Sequence, residues 1–189
     1  MTLRGESYDA RFERLAREGH YLHGEADLVC ELLQDPLHAP GGPVLDAGCG
    51  TGRVALELDR RDVAVTGADV DPVMLAAARA KAPALEWVEA DLAQARFEPV
   101  HVLVVAAGNV MIFLRPGTLP AVVANLAGAL VDGGLLVAGF QLDGRLPLDE
   151  YDARCSACGL SPFERFATWE RAPFEDGDYA VTVHRRAGG

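Results

Sequence analysis

The sequence VLDAGCGTGR, residues 44–53, runs from a short apolar segment through one acid into a turn with glycine at every second position. Gly48, Gly50 and Gly52 carry no Cβ atom, so the backbone can bend sharply and approach a ligand that other residues would exclude. A helix that begins near Gly52 would point its free N–H groups at the same place. The segment therefore predicts a ligand site where a strand meets a helix.

The residues around the glycines indicate which ligand fits this turn. The dinucleotide fingerprint G-x-G-x-x-G would place glycine at position 53, where this sequence has Arg53. Asp46 lies two positions before the first glycine, where its carboxylate would repel a pyrophosphate and attract an ammonium or sulfonium group. A cationic ligand therefore fits better than an anionic one.

Apolar segments alternate with helical patterns after residue 43. Strands are predicted over residues 44–47, 63–69, 85–88, 100–107 and 135–142, and helices over residues 52–61, 72–82 and 119–130. The run VHVLVVAA, residues 100–107, is typical of a parallel strand covered on both faces. The alternation predicts an α/β fold with a doubly wound, Rossmann-like sheet that is mostly parallel and has helices on both faces.

The two ends of the chain differ from this alternating region. The first 35 residues have apolar positions at helical spacing, and a run rich in Pro and Gly over residues 36–43 ends the pattern. Near the C-terminus, strand-like runs flank Asp176 and Gly177, which predicts an antiparallel hairpin with Trp169 in its first strand. We interpret residues 1–189 as one domain, with a helical cap over residues 1–40 and an α/β core over residues 41–189.

Composition limits the partners of the chain. It has 28 acids against 17 Lys and Arg, a formal net charge of −11 and no basic run, which disfavours nucleic acid and anionic membrane surfaces. No segment approaches the roughly 20 apolar residues that span a bilayer, and the first residues lack the apolar region of a secretory signal. Four cysteines are too few for a disulfide framework. We therefore expect a cytoplasmic protein with free cysteines, and a homodimer is left open.

Five segments together resemble one enzyme family. DAGCGTG, residues 46–52, is similar to motif I of the class I S-adenosylmethionine-dependent methyltransferases. Four later segments resemble the later motifs of that family in the same order: GADVDPVML (67–75), EADL (89–92), HVLVVAAGNVMIFL (101–114) and VDGGLLVAGF (131–140). The resemblance covers residues 40–142, and the predicted hairpin agrees with the reversed last strand of the family. It implies S-adenosylmethionine as the cofactor.

The resemblance also implies roles for single residues. Asp69 would accept hydrogen bonds from both ribose hydroxyls, Met74 would pack by the adenine, Asp91 would accept from the adenine amino group, and the Leu92 amide would meet a ring nitrogen. The full set implied to bind the cofactor is Asp46, Gly48, Cys49, Gly50, Asp69, Val70, Met74, Asp91, Leu92 and Ala107. From the residues alone, a carboxylate about 20 positions after the glycine turn suits a ribose diol, and Asp71 is an alternative to Asp69.

The chemistry limits which catalytic residues are needed. Methyl transfer from a sulfonium is an in-line displacement, in which the protein mainly aligns the reactants and excludes water. A neutral acceptor would need a base, and the candidates are Tyr8, His20, Tyr21 and His23, each of which is also readily explained as a surface or packing residue. Asn109 follows a buried strand at the ligand-binding rim and is predicted to position the acceptor; a turn asparagine bonded to the backbone is the alternative.

The cysteines and Arg53 each allow more than one interpretation. Cys155 and Cys158 form a C-S-A-C pair, but a structural zinc site needs four ligands, so we expect no metal and assign both to packing beside the hairpin. Cys49 is expected to fill a small space in the turn, because no activating base accompanies it. Arg53 would either counter the cofactor carboxylate or pair with a surface acid.

The sequence thus predicts an S-adenosylmethionine-dependent methyltransferase. A small-molecule acceptor is favoured, because little chain lies outside the cofactor-binding core and its N-terminal cap. Two alternatives stay open, a non-catalytic module that binds a nucleotide cofactor and an NAD-type Rossmann oxidoreductase. Arg53 in place of the third glycine argues against the oxidoreductase.

Overall fold

The computed structural model of the chain describes residues 3–34 and 42–188. The helices of this part are α1 Leu3–Arg17, α2 Gly24–Gln34, α3 Arg53–Arg60, α4 Pro72–Lys81, α5 Val110–Phe113, α6 Leu119–Ala129 and α7 Leu148–Ala157. Its strands are β1 Val44–Ala47, β2 Val65–Asp69, β3 Glu86–Glu89, β4 His101–Ala106, β5 Leu130–Gln141, β6 Leu160–Phe166 and β7 Tyr179–Arg186. Every helix and strand predicted between residues 44 and 142 is present, with shifts of one or two residues at the ends, except that β5 begins at Leu130, five residues earlier than predicted.

The strands form one sheet in the order β3-β2-β1-β4-β5-β7-β6. Neighbours from β3 to β5 are parallel, while β7 runs antiparallel to both β5 and β6. The predicted doubly wound, mostly parallel sheet is therefore confirmed. Strand order reverses beside β1, which lies between β2 and β4, and open α/β sheets bind ligands at the carboxyl ends of the strands at such a point.

Apolar side chains cover both faces of the sheet, as predicted. One core packs the sheet against α2, α3 and α4 and includes Leu58 and the buried Trp87. The other packs it against α6 and α7 and includes Leu126 and the fully buried Tyr151. Cys155 is also fully buried in α7, in agreement with a packing role. The two cores together hold the carboxyl ends of β1, β2 and β4 at one edge.

The N-terminal segment forms two helices where the pattern indicated helix throughout. Between α1 and α2, Gly19 adopts a φ of 84°, a left-handed conformation that favours glycine and ends a helix. The predicted limit between cap and core falls in residues 35–41, which lie outside the described residues, so that division stays a prediction. No helix in the part of the chain that the structure describes is long and apolar enough to cross a membrane.

The C-terminal hairpin exists, but its predicted turn and first strand were wrong. The strand before β7 is β6, and residues 167–178, with Asp176 and Gly177 inside them, form the connection. Trp169 lies in a turn of this connection, where its indole N–H donates to the Tyr179 hydroxyl at 3.0 Å. β6 escaped prediction because Pro162 interrupts it; proline is tolerated there since β6 is an edge strand with a register shift at that residue.

Gly67 gives a test of this packing. It pairs with Trp87 across β2 and β3, and a Cβ atom at position 67 would lie 2.4 Å from two carbons of the indole ring. We expect Gly67→Ala to lower the free energy of unfolding by about 1–3 kcal/mol because the buried ring must shift. Urea denaturation measures this change.

The matched control is Gly128→Ala on α6, where an added Cβ meets nothing within 4 Å. Alanine is the better helix former there, so this variant should gain about 0.5–1 kcal/mol. Equal losses from both substitutions would contradict the packing described for Trp87.

Candidate functional site

A cavity of about 590 Å³ opens at the carboxyl ends of β1, β2, β3 and β4. Its size lies within the range of roughly 300–1,000 Å³ that is usual for small-molecule sites. The ten residues predicted to bind a cofactor all line it: Asp46, Gly48, Cys49, Gly50, Asp69, Val70, Met74, Asp91, Leu92 and Ala107. The structure thus brings together residues that are up to 61 positions apart in sequence. Their individual contacts with a cofactor stay predictions.

The glycine turn has the sharply bent backbone that its composition predicts. Gly48, Gly50 and Gly52 have φ values of 78°, 56° and 85°, all in the left-handed region that side chains disfavour. A Cβ atom at Gly48 would also lie 2.5 Å from the Val110 side chain. At Gly50 it would meet nothing within 4 Å, so this backbone borders open space in the cavity. The turn therefore leaves room for a ligand directly against the main chain.

Asp69 connects this turn to the end of β2. Its Oδ2 accepts a hydrogen bond from the Gly50 N–H at 2.8 Å, and its Oδ1 accepts one from the Asp71 N–H at 2.8 Å. Each carboxylate oxygen can accept a further bond, so the group can still receive two hydroxyls. Asp71 instead caps α4 by accepting from the Val73 N–H at 2.9 Å. The geometry therefore favours Asp69 over Asp71 as the ligand-facing acid.

Asp91 places a third acid on the cavity, after β3. Its Oδ1 accepts from the Ala93 N–H at 2.9 Å, and its Oδ2 pairs with the exposed guanidinium of Arg115. Arg115 itself lines the cavity. No sequence pattern indicates this arginine, because it lies outside the five motifs and reaches Asp91 across 24 positions.

Asp46 is almost fully buried at the end of β1 and faces the same cavity. Its Oδ2 accepts a hydrogen bond from the Ala55 N–H of α3 at 3.0 Å. Burial is the main cause that raises the pKa of Asp46 to about 7, while the hydrogen bond and the nearby Arg53 oppose the rise. A buried carboxyl with this pKa gains from a cationic ligand, because the added charge stabilises its ionised form.

One of the two interpretations of Arg53 was a pair with a surface acid. Arg53 does pair with an acid, Glu25, but that acid is not on the surface. Its guanidinium forms two hydrogen bonds to the carboxylate of Glu25, which is largely buried, and donates to the Leu22 carbonyl at 2.8 Å. It also lies 4.7 Å from the centre of the Phe12 ring. Arg53 lines the cavity, so it joins the glycine turn to α1 and α2 at the edge of the site.

A second set of contacts holds α1 against the glycine turn. The buried Thr51 donates its hydroxyl to Asp9 Oδ1 at 2.6 Å. Lys81 bridges the same two partners, with its Nζ 2.6 Å from Asp9 Oδ2 and 3.1 Å from the Thr51 carbonyl oxygen. The N-terminal helices are therefore part of the site's frame.

Asn109 has the geometry of a structural residue at the rim. It adopts a φ of 69°, and its Oδ1 accepts a hydrogen bond from the Gln141 N–H at 2.8 Å. Its neighbours Gly108 and Val110 line the cavity. The alternative interpretation was an asparagine whose side chain bonds the backbone of its own turn. The side chain does bond a backbone N–H, but that N–H belongs to the end of β5, 32 positions away. Its role toward an acceptor stays a prediction.

Three of the four candidate bases, His20, Tyr21 and His23, lie away from the cavity lining. His20 and Tyr21 are exposed, and His23 lies with its Nδ1 3.5 Å from Glu57 Oε2 on α3. The side chain of Tyr8 lies outside the described part of the chain.

Nine further described residues line the cavity beyond the predicted ten: Arg53, Val54, Ala90, Gly108, Val110, Phe113, Leu114, Arg115 and Thr118. Several of them belong to the segment 101–114, but only the fold shows which of its residues face the cavity.

Comparisons with known proteins agree with this geometry. A family model described as a methyltransferase domain matches residues 44–134. Trans-aconitate 2-methyltransferase of Sinorhizobium medicae is 46% identical over 65 residues, 33% of this chain and 25% of that protein. The enzyme of the same name from Methylobacterium nodulans is 35% identical over 140 residues, 73% of this chain and 51% of that protein. The chain thus spans about half the length of these curated relatives or less.

A solved structure matches over nearly the whole chain. The TehB-like S-adenosylmethionine-dependent methyltransferase of Corynebacterium glutamicum is 33% identical, with a TM-score of 0.86 over 96% of this chain and 97% of that chain. The strand order, the reversed β7 and the acid-lined cavity define a Rossmann-like methyltransferase fold. The chain belongs to the S-adenosylmethionine-dependent methyltransferases. The predicted family and its cofactor are confirmed, and the NAD-type alternative is wrong.

Asp46→Asn gives a test of the buried acid. The folded chain binds a proton at Asp46 more tightly than the unfolded chain, so ionisation costs stability as the pH rises from about 4 to about 7. An amide carries no such charge. Without cofactor, the melting temperature of the Asn variant relative to the wild type should therefore be higher at pH 8.5 than at pH 5, because most of the cost of ionising Asp46 arises between these two pH values.

Asp71→Asn serves as the control, because asparagine caps a helix as well as aspartate does. Differential scanning fluorimetry at the two pH values measures both variants. A pH-independent difference between Asp46→Asn and the wild type would show that burial does not raise this pKa.

Proposed function

We propose that this chain transfers a methyl group from S-adenosylmethionine to a small-molecule acceptor. The observation that carries the proposal is the single cavity on which Asp46, Asp69 and Asp91 meet the glycine turn. These acids lie at the ends of β1 and β2 and just after β3, and we assign them, by similarity to the family, to a cationic group, a ribose and an adenine in that order. The cofactor that names the family carries these three parts.

The residues of the cavity fit the cofactor on physical grounds. Asp46 is a buried acid whose ionised form is stabilised by a positive group, and Gly50 leaves free space against the main chain. Asp69 retains acceptor capacity for two hydroxyls beyond its bonds to the Gly50 and Asp71 amides. We propose that Asp46 and the turn hold the aminoacyl end, while Asp69 and Asp91 hold the nucleoside.

The chain's part in the reaction is then mainly to align and to exclude water. The cofactor supplies a methyl group on a positively charged sulfur, which is an excellent leaving group. The turn and the acids would hold this sulfur in one place, and the bonds of Thr51 and Arg53 fix the turn to α1 and α2. Alignment of this kind is the largest contribution that a protein needs to make to such a displacement.

We propose a carboxylate as the acceptor group. Among the described residues that line the cavity, the ionisable groups are three carboxyls, two guanidiniums and the Cys49 thiol. Burial raises the pKa of this thiol, so it stays protonated at neutral pH. The three carboxyls are taken up by the cofactor in this proposal, which leaves none of these residues as a base for a neutral acceptor, so a group that is already ionised at pH 7 fits best. Two relatives are named for trans-aconitate, which carries carboxylates.

The remaining alternative is a module that binds the cofactor and has no acceptor chemistry. It shares every cofactor contact with the proposed enzyme, so only turnover distinguishes the two. A small-molecule acceptor, a cytoplasmic location and a homodimer are parts of the proposal, as is an acceptor-positioning role for Asn109. The net charge of −11 supports the first of these, because it disfavours a nucleic-acid acceptor.

Turnover on carboxylic acids tests the acceptor. The chain is incubated with S-adenosylmethionine and a panel of di- and tricarboxylic acids, trans-aconitate among them, at saturating cofactor. We expect S-adenosylhomocysteine to form together with a methyl ester that mild alkali cleaves, and mass spectrometry detects both.

The corresponding amides are the matched control substrates, since they keep the shape and remove the charge. Cofactor binding without turnover on any acid would favour the non-catalytic module. A methylated product that mild alkali does not cleave would show that the methyl group goes to an atom other than a carboxylate oxygen.

The neighbouring acids Asp69 and Asp71 test the cofactor site. Asp69→Ala should lose about 1–3 kcal/mol of affinity for S-adenosylhomocysteine, because it removes a charged acceptor from the cavity and from the Gly50 N–H. Asp71→Ala should lose about 1 kcal/mol of folding stability as a helix cap while keeping the affinity. Calorimetric titration and thermal melting measure both quantities. Equal affinities for the two variants would remove Asp69 from the site.

A further inference from the structure

The loop after β3 forms one wall of the cavity, through Asp91 and Leu92. Local hydrogen bonds hold its first residues: the Ala90 N–H donates to the Asp69 carbonyl oxygen at 2.9 Å, and the Ala93 N–H donates to Asp91 Oδ1 at 2.9 Å. These bonds orient the Asp91 side chain. The carbonyl of Leu92 is held from a different part of the fold.

Asn125 of α6 supplies that bond from inside the protein. Its side chain is 7% exposed, and its Nδ2 donates to the Leu92 carbonyl oxygen at 2.9 Å across 33 positions of sequence. Its Oδ1 accepts a hydrogen bond from Arg96 Nη1. Because Arg96 occupies the oxygen, the NH₂ group must face Leu92, so the direction of the amide is determined. Asn125 therefore ties the backbone of the loop to a rigid helix.

The Leu92 N–H is the group that this tie leaves available. It has no hydrogen-bond acceptor among the described residues. Leu92 itself is buried, with 7% of its surface exposed, and it lines the cavity. The N–H and the carbonyl of one residue are separated only by its φ and ψ rotations. Holding the carbonyl therefore limits how far the N–H can turn, and a buried unpaired N–H gains from a ligand acceptor.

We propose that Asn125 is a positioning residue that makes this site select adenine. With the loop held in place, the Asp91 carboxylate can accept a hydrogen bond from the ligand and the Leu92 N–H can donate one to it. Adenine offers a 6-amino donor beside the N1 acceptor, which complements this pair. A 6-oxopurine offers an acceptor and an N1–H donor, so both bonds are mismatched. The inference rests on the proposed function, since it takes the wall after β3 as the adenine end of the cofactor site.

Sites that hydrogen-bond a ligand reject analogues that leave their buried groups unpaired. If the tie to Asn125 is removed, the loop can turn its N–H away and this rejection weakens. The effect differs from loss of stability, because it changes the ratio of two affinities. A merely structural role for Asn125 would not change that ratio.

The experiment compares S-adenosylhomocysteine with its inosine analogue by calorimetric titration of the full chain. The wild type should prefer the adenine compound. In Asn125→Leu, affinity for S-adenosylhomocysteine should fall about fivefold to tenfold, as expected for one buried hydrogen bond, while affinity for the inosine analogue changes little. The preference therefore shrinks by about the same factor. If the Leu variant does not fold, Asn125→Asp takes its place. Aspartate keeps an acceptor for Arg96 but has no N–H to donate to the Leu92 carbonyl, so we expect the same loss of preference.

Val123→Ala is the matched control, because Val123 is a fully buried apolar residue of α6 in the same core. It should lower the melting temperature and leave the preference for adenine intact. The proposal is overturned if the Asn125 variants lose stability as Val123→Ala does while keeping the wild-type preference. A wild type that binds neither compound would instead overturn the proposed function, and the selective role of Asn125 with it.

Discussion

The hydrogen bond from the Gly50 N–H to the Asp69 carboxylate, at 2.8 Å, connects the turn after β1 to the end of β2. A turn of three left-handed glycines has little conformational preference of its own, so its shape depends on partners elsewhere in the fold. Asp69 supplies one partner and the Ala55 N–H, bonded to Asp46, supplies another on α3. The cavity exists because these bonds hold the bare main chain open toward it.

One acid of the cavity is buried, and the guanidinium near it is bonded to other partners. Asp46 is buried where water cannot solvate its ionised form, and its pKa is raised to about 7 as a result. Arg53 is nearby, but its guanidinium is bonded to Glu25 and to the Leu22 carbonyl, which anchors α2 and the preceding turn to α3. Thr51 and Lys81 add a second anchor through Asp9 on α1. The N-terminal helices and the ligand site are thus supported by the same short stretch of chain.

The core of the fold could be predicted because its signals are local. Apolar segments indicate the strands, and the acids at positions 46, 69 and 91 each lie within two residues of the end of a strand. The C-terminal part was harder. Pro162 hides an edge strand, and the turn residues Asp176 and Gly177 lie inside a twelve-residue connection, residues 167–178, instead of a tight hairpin. Which of two adjacent strand-like runs pairs with β7 depends on packing over α7, which a local pattern does not contain.

By itself, the sequence determined the α/β class, the glycine turn and the set of acids that line the cavity, because strand periodicity and glycine spacing act over a few residues. Only the tertiary structure decided that Asp71 caps a helix while Asp69 faces the cavity, that Arg53 pairs with Glu25, and that Asn125 holds Leu92. These choices depend on bonds between residues from 2 to 33 positions apart. Their partners become neighbours only when the two apolar cores bring the strands and helices together.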